Sequence, residues 1–370
     1  MNQKQHYILL DGLRGVAALM VVCYHFFEGF ATSPADQKFN HGYLAVDFFF
    51  VLSGFVIGYA YDDRWKSMKV KEFFRRRIVR LHPMVILGAI LGVISFCIQG
   101  CVKWDGTPVS PTMVILAMVL SMLMLPVFPG TGPEVRGNGE MFPLNGPSWS
   151  LFFEYIGNIM YALFLRRLPT RWLTAFTALC GASLAAFTLA NGSGFWNVGV
   201  GWTFAGYNFI GGFLRMSFSF SAGLLLSRNY RKINIKGAFW ICALVIVTLL
   251  SVPYLGGEKM PWINGIFDLV CILGVFPSLV LLGAGGSAEG KVSSKICSFV
   301  GEISYPLYII HYPFMYLFYA YVWKHGLAFS DVWYIALGIF TACILTAYAA
   351  SRLYDRPVRR WLSRRAAKES

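Results

Sequence analysis

The feature that most constrains this chain is the recurrence of apolar runs close to the ~20 residues an α-helix needs to cross a bilayer. Candidate spans fall at roughly 8–28, 43–61, 83–102, 149–165, 172–190, 206–226, 238–255, 263–283, 299–321 and 333–351. The runs are continuous rather than alternating. That selects helices over a barrel, because backbone in hydrocarbon must satisfy its own hydrogen bonds. Of 370 residues, 56% are hydrophobic and 14% charged, with mean hydropathy +0.56; a soluble domain carries about 25% charge. The expectation is an all-α polytopic membrane protein. About ten transmembrane helices would occupy residues 1–355, followed by a basic cytoplasmic tail at 356–370.

Segment 111–128 is also apolar, but Pro111, Pro126, Pro129 and Pro133 punctuate it, and the charge distribution decides how to read it. With a cytoplasmic N-terminus and a re-entrant or bundle-packed 111–128, 25 of the 32 Lys and Arg lie on the cytoplasmic side. Five lie in outer loops (Lys38, Lys103, Arg136, Lys259, Lys324), and Arg14 and Arg215 lie within spans. Full crossing would send Arg166, Arg167, Arg171 and the basic tail outside, against the positive-inside rule. Topology thus accounts for the net charge of +14 without nucleic acid. Both termini are expected in the cytoplasm of a bacterial inner membrane, with the tail as an anchor on anionic lipid. No cleavable signal is expected, since the first run carries Asp11 and Arg14 and no small-residue cleavage site follows. The eight cysteines lie in or beside apolar segments without a C-x-x-C pair. They read as core-filling residues rather than disulfides or metal ligands.

An ionisable residue inside the bilayer costs roughly 2.5–3.5 kcal/mol on insertion scales and marks a bundle interior or cavity. In the first span, Arg14 and His25 are separated by 11 residues, about 20° past three turns, so they share a helix face about 16 Å apart in rise. Asp11 is one turn before Arg14 and can pair with it. Asp47 enters the second span from the outer side, where it is expected to neighbour His25 and stabilise its charge. Ser53 and Gly54 suit close helix packing. Arg77 and Arg80 form a guanidinium fork beside the membrane, suited to phosphates. Glu154, one to two turns into its span, is expected at the level of His25. Arg215 and Asp268 are expected to pair, with lining the cavity as the alternative. Glu302 and His311 are nine residues apart, about 900° of helix, so they face opposite sides. Trp196 and Trp202 read as interfacial anchors, with stacking on sugar rings as the alternative.

These motifs, in this order, resemble acyltransferase family 3: the Arg14–His25 spacing, AVDFFFVLSGF, Arg77-x-x-Arg80, PSWSLFFE and ISYPLYIIHYP. The resemblance runs from about residue 7 to about 355. Members are membrane O-acyltransferases of lipopolysaccharide O-antigen, exopolysaccharide, peptidoglycan and some antibiotics. The resemblance implies that His25 is the catalytic histidine and Arg14 its functional partner. It implies that Arg77 and Arg80 handle acyl-CoA, that Glu154 is the acidic residue of its motif, and that His311 is a motif histidine of less defined role. Many members append a soluble SGNH-hydrolase domain; this chain looks like the stand-alone type.

The functional expectation is transfer of an acyl group, acetyl for preference, from acyl-CoA to a hydroxyl of a carbohydrate or glycolipid acceptor. His25 would act as general base or acyl carrier, supported by Asp47 or Glu154, with no metal. The same intramembrane charges also suit a transporter or flippase of a glycan or lipid-linked sugar, or a non-catalytic partner in polysaccharide assembly.

Overall fold

A computed structural model describes residues 7–230, 235–286 and 290–368. Lys4, Arg231 and Lys232, counted above as cytoplasmic, lie outside the described residues, as does the end of the tail. The chain order is α1 (Ile8–Glu28), a 3-10 turn (His41–Leu44), α2 (Ala45–Tyr61), α3 (Val70–Ile98), α4 (Pro111–Met122), α5 (Ser148–Leu163) and α6 (Thr170–Leu189). Then come α7 (Asn208–Asn229), α8 (Ala238–Leu250), α9 (Trp262–Val270), α10 (Phe276–Gly285), α11 (Gly290–His325), α12 (Phe329–Ala349) and α13 (Arg356–Lys368). Among the described residues there are no strands, only two isolated bridges.

Among the described residues, seven helical stretches are long and apolar enough to cross a membrane: 8–28, 41–61, 70–98, 170–189, 208–229, 262–285 and 329–365. The other three predicted spans are helical but differ in build. α5 has 16 residues and α8 has 13, whereas 299–321 is the apolar part of a 36-residue α11. α4 has 12 residues, about 18 Å at helical rise, and falls short of a ~30 Å hydrocarbon core. The span predicted from 83 begins at Val70, so Arg77 and Arg80 belong to the same rod as the apolar run.

Glycines set the closest helix contacts. A Cβ on Gly54 would lie 2.0 Å from the Phe220 carbonyl oxygen, and one on Gly223 would lie 2.0 Å from that of Val51. Small residues thereby let the α2 and α7 backbones meet, the usual device where no hydrophobic drive separates helix from lipid. α1 and α11 meet in the same way at Gly15, against the Val300 carbonyl, and at Gly301, against Asp11. This second pairing brings the Arg14–His25 face of α1 onto α11. Pro313 lies inside α11 and cannot donate to the Ile309 carbonyl. Asn145 Nδ2 donates to that carbonyl instead, at 2.7 Å, so the loop before α5 is fastened to α11. Further loop contacts cap this end: Val127 N–H donates to Met141 O and Met141 N–H to Trp202 O, both at 2.9 Å.

Candidate active site

Arg14 and His25 share the α11-facing side of α1 but line different cavities. Arg14 Nε donates to Ser304 Oγ on α11 at 2.8 Å, and its Nη2 lies 2.9 Å from Asp11 Oδ1. Arg14 lines a large cavity of about 1480 Å3 together with Arg77, Arg80, Ser53 and Glu154. His25 lines a cavity of about 260 Å3 walled by Tyr24, Trp104, Trp149, Trp202, Tyr312 and Tyr316, among others. Val46 and Tyr308 line both. The shared face of α1 therefore opens onto two abutting chambers, with Val46 of α2 and Tyr308 of α11 at their common boundary. The Tyr308 and Ser150 hydroxyls share a hydrogen bond of 2.6 Å at this boundary.

His25 is held by groups the sequence reading did not single out. Its Nδ1 lies 2.6 Å from Glu28 Oε2, one helical turn on, and its side chain is 13% exposed. Tyr319 OH donates to the His25 carbonyl at 2.5 Å and to Glu28 Oε2 at 3.1 Å. A carboxylate on Nδ1 fixes the tautomer that carries its proton there, which leaves Nε2 as an acceptor. His311 stacks on His25 with ring centroids 5.3 Å apart. Its Nδ1 donates to the carbonyls of Tyr308 (2.9 Å) and Leu307 (3.1 Å), and its buried Nε2 has no hydrogen-bond partner among the described residues. Two imidazoles thus meet, each with Nδ1 engaged.

Several sequence expectations are corrected. Asp47 is bound to Arg215, not poised on His25: Nη2–Oδ2 is 2.6 Å and Nε–Oδ1 3.1 Å, with both side chains fully buried. The two residues lie on α2 and α7, the pair brought together by Gly54 and Gly223. Arg215 also donates to the carbonyls of Val200 (2.8 Å) and Tyr43 (3.0 Å). It does not pair with Asp268, which accepts from Tyr43 OH at 2.9 Å and Val198 N–H at 2.8 Å. Glu154 is not level with His25. Its Oε1 accepts from Arg77 Nη2 and Ser53 Oγ, both at 2.9 Å, because α5 is short and α3 carries Arg77 into the bundle. Glu302 and His311 do face apart, since Glu302 pairs with Arg352 (2.5 Å) and Arg356 (2.9 Å) near the tail. Trp202 lines the aromatic cavity. Cys97 is exposed rather than core-filling.

The loop before α5 supplies a further acid. Glu140 is buried and accepts from Tyr316 OH, and Arg136 lies over the Tyr316 ring at 3.4 Å. Burial raises the Glu140 pKa to about 7, opposed by the hydrogen bond from Tyr316 and the charge of Arg136. Among the described residues no group of three or more His, Cys, Asp or Glu is arranged to hold a metal ion.

A match to the family described as an acyltransferase domain spans residues 7–352. The chain belongs to acyltransferase family 3. It is similar to protein 2 in the picA locus of Rhizobium radiobacter, at 37% identity over 44% of this chain and 83% of that protein. It is similar to the acyltransferase MdmB of Streptomyces mycarofaciens at 31% identity, over 48% of this chain and 43% of that protein. The peptidoglycan O-acetyltransferase OatA of Listeria monocytogenes is 24% identical over 82% of this chain and 48% of its own length. The chain thus spans about half the length of these last two relatives. No solved structure matches. Of the two chambers, sequence reasoning reached Arg14, His25, Arg77, Arg80 and Glu154. It missed Glu28, although Glu28 stands at i+3 from His25, and it missed Glu140 and the nearness of His311, which have no local signal.

Proposed function

We propose that this protein is a membrane O-acyltransferase that moves an acyl group, acetyl for preference, from acyl-CoA to a carbohydrate hydroxyl at the far side of a bacterial inner membrane. The carrying observation is the His25–Glu28 pair in an aromatic chamber that abuts a chamber rich in arginine. The donor enters from the cytosolic, basic end, where Arg77 and Arg80 hold its phosphates. Its pantetheine arm runs along the Arg14 face of α1 and passes Tyr308. The acceptor sugar stacks on the aromatic walls, and O-antigen, exopolysaccharide and peptidoglycan all offer such hydroxyls. OatA, named as a peptidoglycan O-acetyltransferase, supports the choice of acetyl and of a glycan.

In the reaction, His25 Nε2 takes the proton of the sugar hydroxyl as the hydroxyl oxygen attacks the thioester carbonyl. The carbon–sulfur bond breaks, CoA leaves as a thiolate, and the imidazolium returns the proton to it. Glu28 stabilises the imidazolium and keeps Nε2 directed at the chamber, a role the sequence reading assigned to Asp47 or Glu154. The test is transfer of labelled acetyl from acetyl-CoA to an added glycan by purified protein in lipid. Wild type transfers label, and His25→Ala does not. Full transfer by His25→Ala sinks the reading, and passage of unmodified glycan across the bilayer without label marks a transporter instead.

A further inference from the structure

The basic tail, expected to anchor on lipid, lies against the donor chamber. α13 packs on α3, and Arg356, Arg359, Arg360 and Arg364 line the same cavity as Arg77 and Arg80. The lining of that cavity includes ten arginines and five carboxylates. All five carboxylates are engaged: Asp11 with Arg14, Glu72 with Arg76, Glu154 with Arg77, Glu302 with Arg356 and Asp355 with Arg359. Arg64, Arg75, Arg80, Arg360 and Arg364 have no carboxylate partner among the described residues. Gathered around one space, these guanidiniums repel one another and call for a polyanion. Arg360 and Arg364 are spaced i,i+4, which puts both forks on one helix face. Arg365, one residue on, is turned about 100° away; it stacks on Trp361 at 4.2 Å and is not part of the cavity wall.

We propose that α13 is part of the donor site: Arg360 and Arg364, together with Arg80 on α3, bind the phosphates of the donor nucleotide. This rests on acyl-CoA being the donor. A lipid headgroup offers the same phosphate chemistry, so the experiment separates the two sources.

Initial rates are measured for wild type, Arg360→Gln/Arg364→Gln and Arg365→Gln in neutral phosphatidylcholine nanodiscs. Each is assayed with acetyl-CoA and with S-acetylpantetheine, which lacks the nucleotide. The double variant is expected to raise KM for acetyl-CoA about ten-fold and to leave the rate with S-acetylpantetheine as in wild type, and Arg365→Gln is expected to match wild type on both donors. An equal effect from Arg365→Gln, an unchanged KM in the double variant, or a rise seen only when phosphatidylglycerol is added each overturns the proposal. A double variant that loses both donors equally has lost its fold or its catalytic centre, and that too counts against a phosphate-binding role. Wild type that uses S-acetylpantetheine but not acetyl-CoA removes the donor reading, and this inference with it. Wild type that uses acetyl-CoA beside a double variant with unaltered KM removes this inference alone.

Discussion

The arginine chamber holds about 1480 Å3 and is walled by guanidiniums from α1, α3 and α13; the aromatic chamber holds about 260 Å3 and is walled by Tyr and Trp. In the first, charge acts over several ångströms, and several arginines can share one polyanion without exact placement. In the second, every polar group that matters is fixed by a short contact: His25 by Glu28, Glu140 by Tyr316, Arg215 by Asp47. In the proposed function, the difference is that between capturing a charged donor and positioning one hydroxyl for proton transfer. Losses at the basic end should therefore appear in KM for the donor, and losses at the aromatic end in kcat.

The largest effect expected is at His25. His25→Ala should lower kcat by roughly 10²–10⁴-fold with little change in KM for acetyl-CoA, and Glu28→Gln should give a smaller drop of the same kind. A KM effect without a kcat effect would merge the two chambers into one function. Next is the buried pair under the aromatic chamber. Arg215→Met strands the Asp47 carboxylate and should cost about 3–5 kcal/mol of stability, read as a fall in thermal midpoint in detergent. The double substitution Arg215→Met/Asp47→Leu should recover most of it.

A third test uses pH. The Glu140 pKa stands at about 7 in the fold against an ordinary 4.5, so the fold favours its protonated form. Between pH 4.5 and 7 the unfolded chain ionises this group while the folded one does not. Stability should fall over that window by on the order of 3 kcal/mol and then level off. Glu140→Gln should flatten the curve, and an equal slope in both proteins would mean that Glu140 is not the group responsible. The smallest effect expected is Arg80→Gln, which should raise KM for acetyl-CoA about ten-fold and do so less at high salt. Insensitivity to salt would show that the basic chamber does not act through charge.

Helical periodicity was readable without coordinates. It put Arg14 and His25 on one face of α1 and turned Glu302 away from His311. The apolar runs located most helices, and segment 111–128, which the charge distribution marked as re-entrant or bundle-packed, holds the 12-residue α4. The same spacing rule would have found Glu28, three residues from His25. Spacing gave no access to the partners across helices. Asp47 was expected near His25 and is bound to Arg215; Glu154 was expected near His25 and is bound to Arg77.

By itself the sequence determined most of the helical segments, which residues share a face of each, and membership of an acyltransferase family, since these depend on local geometry and order along the chain. Only the tertiary structure decided which charge meets which, that the Arg14–His25 face opens onto two chambers, and that the tail helix borders the arginine chamber. The depth and rotation of one helix against another follow from how glycines, aromatics and prolines on different segments pack together, and no periodicity within a single helix records that.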